Sequence, residues 1–410
     1  MNEAPPRVRA VARVGAGAPV TRGRPTFSPR RRPGHIGAVN VMQLVAIELV
    51  LVLILVLLRV SLWVALTGAG IGLIVAVALF TRLRGRWWTE RILLDWQYRR
   101  RRTAGIAGTA DRRLHALRGL VPDLTAQTVD GTGGVPVGVG HDSAGWFAVA
   151  AVSSASSMRG DVRSQLPLDA LARVVTDAEH PGGVIQVVTH TVPAPSLDLD
   201  GQRACIQSYQ ELLQSYGPVP ADQTTWVAVR LDARVAAELS ADEAQQAPVM
   251  LAALVRRVGK ALKRAGLPYQ ILDADGLLDA LVRSCDLERP TEDGHPVRPV
   301  ESWHAWQSAT LAHACFWVRS WPELTRTGPL LDQLAASPAA LTSVAMILEP
   351  EDGGIGVRCL VRVAAEPAAL STVCRTVAEV AARAGARLFR LDGEQAPAVY
   401  ASAPSGGGAR

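Results

Sequence analysis

The sequence lacks the residue patterns on which most metal sites and catalytic nucleophiles depend. Its cysteines form no Cys-x-x-Cys pair, and its histidines show no His-x-x-x-His spacing. No Gly-x-Ser-x-Gly elbow and no phosphate-loop Gly-Lys-Ser/Thr occurs. We therefore expect no catalytic residue, no metal, no cofactor and no small-molecule substrate. The five cysteines are expected to be reduced thiols, mostly in the core: Cys205, Cys285, Cys315, Cys359 and Cys374.

Charge is nearly absent from residues 39–80, and basic residues flank them. Glu48 and Arg59 are the two charged residues of this stretch. Residues 1–38 carry a net charge of +7 and residues 81–118 carry +8, so residues 119–410 carry −9 of the chain's total of +6. An acidic domain is a poor surface for phosphates, so we expect no nucleic-acid partner.

The apolar stretch predicts a transmembrane hairpin. A single helix over residues 39–80 would be about 60 Å long, twice the thickness of a bilayer core of about 30 Å. The sequence therefore predicts two spans, 41–58 and 61–80, with Arg59 in the turn. Because arginines flank both ends, we expect an inner-membrane protein with two spans and both termini in the cytosol.

Several residues of this region have predicted roles. Glu48, Gly68 and Gly72 are expected to pack membrane helices, since glycines four residues apart let two helix backbones approach closely. The alternative for Glu48, a proton path, lacks a second ionisable group. Contact with lipid headgroups at the membrane interface is predicted for Arg59, Arg84, Arg86, Trp87 and Trp88.

The segments outside the hairpin differ in composition. Residues 1–38 are rich in Arg, Pro and Gly and are expected to be disordered. Residues 81–122 predict a basic juxtamembrane helix and a connector. Residues 402–410 are Gly-rich and are expected to form a flexible tail.

Residues 123–401 alternate between strand and helix patterns and predict a cytosolic α/β (α+β) domain. The order β-α-β-β-α-β can be written for residues 123–284 and again for residues 300–401. Two interpretations stay open: an internally duplicated unit, or one continuous sheet whose segments look alike.

The motif RGRWWTERILLDWQYRRRR, residues 84–102, follows two closely spaced apolar segments and leads into the predicted domain. This arrangement resembles EccE, the membrane component of actinobacterial type VII (ESX) secretion systems. The resemblance implies a non-catalytic subunit that stabilises an inner-membrane complex beside EccB, EccC and EccD. It also implies a domain like a degenerate glycosyltransferase fold without its catalytic apparatus.

Two other functions stay open. Asp273 and Asp275 follow a predicted strand, and an Asp-x-Asp there holds the divalent ion in nucleotide-sugar transferases, which would make the protein a membrane-anchored enzyme. In the structural alternative Asp275 caps the next helix and Asp273 lies in the turn. A standalone membrane-tethered binding module is the third hypothesis. Trp303 and Trp306 are candidate partner contacts, because Trp is enriched in interface hot spots.

Overall fold

The computed structural model describes most of the sequence after residue 38. The described residues are 27–29, 35–36, 39–59, 61–83, 86–103, 108–130, 134–153, 166–176, 183–193, 204, 207–208, 211, 222–233, 241–287, 299–351 and 354–408. Cys205 and Arg84 lie outside them, as do nearly all of residues 1–38, for which disorder was predicted.

Two apolar helices come first. Helix α1 (Val41–Leu58) and helix α2 (Leu62–Phe80) are separated by a turn in which the Arg59 amide donates to the Val56 carbonyl over 3.1 Å. The helices contact each other. A Cβ atom added to Gly68 would lie 2.5 Å from Leu57 Cδ1, and one added to Gly72 would lie 2.6 Å from Val50 Cγ1. The two glycines therefore allow α2 to pack closely against α1.

The predicted transmembrane hairpin, and the two-span inner-membrane localisation derived from it, were wrong. No helix in the described part of the chain is both long and apolar enough to cross a membrane. The turn at Arg59 divides the apolar stretch into helices of 18 and 19 residues.

The remaining helices lie within or beside a large sheet. They are α3 (Trp88–Thr103), α4 (Arg112–Arg118), α5 (Leu168–Thr176), α6 (Ala241–Arg264), α7 (Ala274–Ser284), α8 (Leu324–Ala335), α9 (Leu370–Ala384) and α10 (Gln395–Ser402). Short strands occur before residue 108, and the first of them also joins the large sheet: β1 (Phe27–Pro29), β2 (His35–Ile36), β3 (Val39–Asn40), β4 (Arg82–Leu83) and β5 (Arg86–Trp87).

The sheet contains thirteen of the described strands. Besides β1 they are β6 (Thr125–Asp130), β7 (Pro136–Asp142), β8 (Gly145–Val152), β9 (Gly183–Val192), β10 (Asp222–Asp232), β11 (Tyr269–Ile271), β12 (Val300–Glu301), β13 (Trp306–Gln307), β14 (Ala312–Ser320), β15 (Leu341–Glu351), β16 (Gly354–Ala365) and β17 (Arg387–Arg390). The order is β12-β13-β14-β16-β15-β9-β10-β8-β7-β6, and β1, β11 and β17 pair with β16, β8 and β14. We call residues 108–408 the sheet domain.

The element order repeats on the two sides of the β9–β15 pair. One half reads β8-α5-β9-β10-α6-β11-α7 and the other reads β14-α8-β15-β16-α9-β17-α10. In each half the third strand lies between the first two, so β10 separates β8 from β9 and β16 separates β14 from β15. The repeated element order therefore lies within one continuous sheet.

The predicted α/β class and the glycosyltransferase-like fold were also wrong, since the sheet is mostly antiparallel. Among the described strands only the β1–β16 pair is parallel. The helix α5 joins β8 to β9 as a crossover would, but β10 inserts between them and pairs antiparallel with both. Alternating strands and helices in the sequence do not reveal this insertion, which is why the pattern suggested α/β.

Helices cover both faces of the sheet. Helices α5 and α6 pack on one half of the first face, and α8 and α9 pack on the other half. Helices α4, α7 and α10 cover the opposite face. Strand β15 contributes side chains to the cores on both faces of the sheet. Val344 and Leu348 point to the first face, and Ala345 and Ile347 point to the opposite face, because successive side chains of a strand alternate between faces.

Candidate functional site

Helix α3 lies where the apolar helices meet the sheet domain, and its two faces differ in character. The amide of Trp87 donates to Glu90 Oε2 over 3.3 Å at its start, and its last turn holds several arginines. Leu94, Tyr98 and Arg101 recur at steps of four and three residues, so they share one face. That face meets the sheet domain.

Two arginine–glutamate pairs attach α3 and the strand before it. The Arg101 guanidinium donates to both carboxylate oxygens of Glu301, each over 3.2 Å, and to the Gly393 carbonyl over 2.6 Å. The Arg86 guanidinium lies 2.5 Å from Glu394 Oε2. Glu301 is nearly buried, so its bidentate pair with Arg101 is oriented and partly shielded from water.

Trp303 belongs to this internal contact. Its ring lies 5.5 Å from the Tyr98 ring in an edge-to-face arrangement, and the Arg91 guanidinium lies 5.8 Å from its centre. Trp306 is 1% exposed and packs edge-on against His313 at 5.0 Å. Both candidate partner contacts are therefore made within the chain. Trp303 packs against α3, and Trp306 lies in the core.

The opposite face of α3 is exposed and apolar. Trp88, Ile92, Leu93 and Trp96 are 40%, 50%, 55% and 57% exposed. On soluble proteins, contiguous exposed apolar patches mark sites of interaction with another protein or with a membrane. We call these four residues the α3 ridge.

The residues predicted for membrane packing and the membrane interface lie in different environments. Arg59 and Glu48 are exposed, whereas Trp87 is buried at the start of α3 and Arg86 is engaged with Glu394. Trp88 is the member of the predicted interface set that belongs to the α3 ridge. Contact with lipid headgroups stays a prediction for the exposed members of the set.

The Asp-x-Asp motif is held by local contacts. Asp273 caps α7, because its Oδ1 accepts from the Gly276 amide over 2.8 Å. Asp275 pairs with Arg113 over 2.6 Å, and Arg113 also pairs with Asp279 over 2.8 Å. The structural alternative named Asp275 as the helix cap, whereas the residue that caps α7 is Asp273. Within the described residues no three His, Cys, Asp or Glu side chains are arranged to hold a metal ion.

A buried polar cluster lies on the second face of the sheet, at the seam between the halves. His190 Nδ1 lies 2.9 Å from Ser343 Oγ, directly across the β9–β15 pair. The fully buried Arg362 donates to Ser343 Oγ over 2.9 Å and to the Ser284 carbonyl. Burial, and after it the charge of Arg362, lower the pKa of His190 to about 3. His190 is consequently neutral at physiological pH.

Next to this cluster, Asp286 is held in an unusual backbone conformation. Its φ angle is 57°, in the left-handed region that non-glycine residues rarely adopt. Ser308 donates to Asp286 Oδ2 over 2.6 Å, and His313 Nε2 lies 3.4 Å from the same oxygen. These side chains are buried, so the cluster positions the α7 end and β14 and has no exposed reactive group.

A second buried charge pair holds the C-terminal segment. Asp142 accepts two hydrogen bonds from Arg230, over 2.6 and 2.7 Å, and a third from the Tyr400 hydroxyl over 2.7 Å. Burial raises the pKa of Asp142, but the hydrogen bonds and charge of Arg230 outweigh it and keep that pKa below its ordinary value. Arg230 also donates to the Ser405 carbonyl over 2.8 Å.

Of the segment 402–410, predicted as a flexible tail, residues 402–408 are buried, and residues 409–410 lie outside the described residues. Gln186 donates to the Ala401 carbonyl over 2.7 Å and accepts from the Gly407 amide over 3.0 Å. Gly406 and Gly407 have φ angles of 74° and 73°. A Cβ at Gly406 would lie 2.5 Å from Arg230 Cβ, so these glycines permit close contact and do not confer flexibility.

The described cysteines are core residues. Burial raises the pKa of Cys285 to about 11, and it raises the pKa of Cys315 and of Cys359 to about 12. Thiols with such pKa values are neutral at physiological pH and are poor nucleophiles. The burial of these cysteines was predicted from the sequence. The buried polar contacts of Arg230 and Arg362 were not predicted, although each arginine is a charged residue within an otherwise apolar strand and could have indicated such a contact.

Replacing Asp142 by Asn is expected to lower the free energy of unfolding by about 3–5 kcal/mol, because it leaves Arg230 buried without its counter-charge. The matched control is Asp222→Asn, which breaks an exposed pair with Arg283 at 3.1 Å and is expected to cost about 0–1 kcal/mol. Urea unfolding followed by circular dichroism measures both. Equal losses in the two variants would contradict the assigned role of Asp142.

Stability is also expected to fall as the pH drops below about 6.5, the ordinary pKa of histidine in an unfolded chain. Because the pKa of His190 is about 3 in the folded state, the unfolded state binds an extra proton between these values. The contribution is full above pH 6.5 and decreases by up to about 1.4 kcal/mol per pH unit below it. His190→Asn should show a shallower loss between pH 7 and 5 in the same unfolding measurement. An unchanged slope would exclude a neutral, buried His190.

Part of the chain is similar to a known protein family. Residues 219–318 match the family described as "Putative type VII ESX secretion system translocon, EccE". The matched segment runs from β10 through α6, α7 and Trp303 into β14. No curated protein matches the chain. The match supports a component of a type VII secretion translocon. It confirms, for residues 219–318, the resemblance seen in the sequence.

Proposed function

We propose that the protein is a non-catalytic structural subunit of a type VII secretion complex. In this proposal the sheet domain is a rigid support, and α3 joins it to the rest of the complex. The observation that carries the proposal is the two-sided character of α3. One face is bound to Glu301 and Trp303 within the chain, and the other exposes the α3 ridge.

The side chains that could act in catalysis already make structural contacts or are buried, which supports a non-catalytic role. Asp273 and Asp275 serve as a helix cap and an ion-pair partner. His190 is buried and neutral, and the thiol of Cys315 is buried with a raised pKa. Catalysis requires groups that touch a substrate with a suitable protonation state. His190 and Cys315 are buried, and the exposed Asp275 is engaged with Arg113.

The exposed apolar surface of α1 and α2 supports association with other subunits. Trp63, Ile71 and Ile74 of α2 are largely exposed, as are Leu49 and Leu55 of α1. Exposed apolar area of this extent favours burial against other chains. The proposed partners are the subunits of the same secretion complex, of the EccB, EccC and EccD types.

Co-purification of the tagged full-length chain tests this function. The expected result is a single large assembly on a native gel that contains other type VII secretion subunits, including one of the EccC type. Purification of the chain alone, from cells that produce those subunits, would contradict the proposal.

Loosening α3 from the sheet domain should weaken this assembly. The variant Glu301→Gln, Glu394→Gln removes both counter-charges and is expected to lower the yield of co-purified subunits roughly ten-fold, the factor equivalent to about 1.4 kcal/mol. Glu366→Gln, Glu379→Gln changes two exposed glutamates elsewhere and should leave the yield unchanged.

A further inference from the structure

We propose that the groove between α8 and α9 binds a short extended segment of a partner subunit, with a carboxylate at the end that holds Arg326 and Arg383 and apolar side chains along the floor. We call it the α8–α9 groove. The inference rests on the proposed function, because it adds a second contact, of stated chemistry, to the one made through α3. It commits to a polypeptide from another subunit of the complex.

The α8–α9 groove has the size of a binding site. Its volume is about 560 Å³, and sites for drug-sized ligands range from about 300 to 1,000 Å³. Arg326, Leu330 and Gln333 line one wall at steps of four and three residues, so they share one face of α8. Val380 and Ala384, four residues apart, line the facing wall on α9. The groove is therefore formed by the side chains of two packed helices.

The two arginines of the groove lie at the same end of it. An ideal Cβ atom at Gly385, directly after α9, would lie 3.8 Å from Cβ of Pro322, which stands two residues before α8. The end of α9 therefore meets the start of α8. Arg383 is in the last turn of α9 and Arg326 is in the first turn of α8, so both guanidinium groups belong to this end of the groove.

The charges of the groove select a carboxylate. The described residues that line it include these two arginines and no Asp or Glu. Among the described residues neither guanidinium belongs to an ion pair, and Arg383 Nε donates to the Glu379 carbonyl over 3.4 Å. A guanidinium is charged at every physiological pH and binds carboxylates through oriented, charge-assisted hydrogen bonds. An acidic side chain of the partner therefore fits this end.

The remainder of the lining suits a polypeptide. Leu330 and Val380 give the floor its apolar character. The amide of Gln333 is exposed and offers both a donor and an acceptor, which a peptide group can use and a lipid acyl chain cannot. From Arg326 to Ala336 the groove follows α8 for about 15 Å, which is the length of about four to five extended residues at about 3.3 Å each.

Site-specific photocrosslinking identifies what occupies the α8–α9 groove. Benzoylphenylalanine replaces Ala336, an exposed residue of the lining, in the full-length chain produced together with the other secretion subunits. The expected adduct joins position 336 to an apolar segment of another subunit that has an Asp or Glu about four to five residues from the crosslinked one, since that length reaches the arginines.

The matched control places the same crosslinker at Ala378, which is exposed on α9 and does not line the groove. This position should give no adduct with the segment that position 336 captures. An adduct of position 336 with lipid alone or with a second copy of this chain would overturn the inference, and so would the absence of any adduct.

Charge exchange tests the carboxylate contact. Arg326→Glu, Arg383→Glu is expected to reduce the yield of the adduct about ten-fold, because it places like charges opposite the partner's carboxylate. Replacing that Asp or Glu of the partner by Arg should restore the yield. Arg257→Glu, Arg375→Glu makes the same change in charge at exposed positions of α6 and α9 outside the groove and should have no effect. An unchanged yield in the first variant would overturn the contact, as would failure of the exchange to restore it.

These outcomes separate the inference from the proposed function. If the wild-type chain co-purifies with secretion subunits while the groove gives no adduct with them, the groove is not a contact and the structural role stands. If the wild-type chain co-purifies with no secretion subunit, the proposed function and the inference both fail. The four arginines changed above are exposed, so both double variants should unfold at nearly the temperature of the wild-type chain, which excludes misfolding as the cause of a lost adduct.

Discussion

Antiparallel pairing between β9 and β15 joins the two halves of the sheet domain, and the other features depend on it. Seven residue pairs form this seam, from Thr342 opposite Thr191 to Leu348 opposite Ile185. Each half alone would expose one edge of a sheet, with unpaired amides and carbonyls that favour unwanted association. Pairing the two edges buries both and creates one large sheet with helices on both faces.

The buried polar contacts concentrate along this seam and beside it. His190 and Ser343 meet across it, and Gln186 holds the C-terminal segment from the same strand. Such contacts are costly when one partner is missing, because the other is left buried without a hydrogen bond. They consequently fix how the halves and the last residues fit together. The rigid support that results is what a structural subunit requires, and α3 attaches to its far edge through Glu301.

Local elements of the fold were predictable because their signals are local. Strand and helix patterns were predicted within residues 123–401, and this region contains both, as in the strand Asp222–Asp232 and the helix Ala241–Arg264. Apolar periodicity carries this information. The insertion of β10 between β8 and β9, and the β9–β15 seam, join residues far apart in sequence, so no local pattern specifies them.

The candidate site was predictable only in part, and the errors have physical causes. The tryptophan-rich basic motif correctly drew attention to α3, but the sequence did not show which face of the helix meets the sheet domain. Trp303 was expected to contact a partner because Trp is common at interfaces, yet an internal helix supplies that contact. The glycines near Gly406 suggested flexibility, whereas they allow the backbone to pass close to Arg230.

Hydrogen exchange of the full-length chain, followed by mass spectrometry, tests the central claim that the seam makes one cooperative sheet. The account predicts that peptides covering residues 185–191 and 342–348 exchange as slowly as those from β8 and β16, and that residues 403–407 share this protection. Fast exchange at the seam, with the outer strands of each half still protected, would show two halves that open independently and would contradict the account.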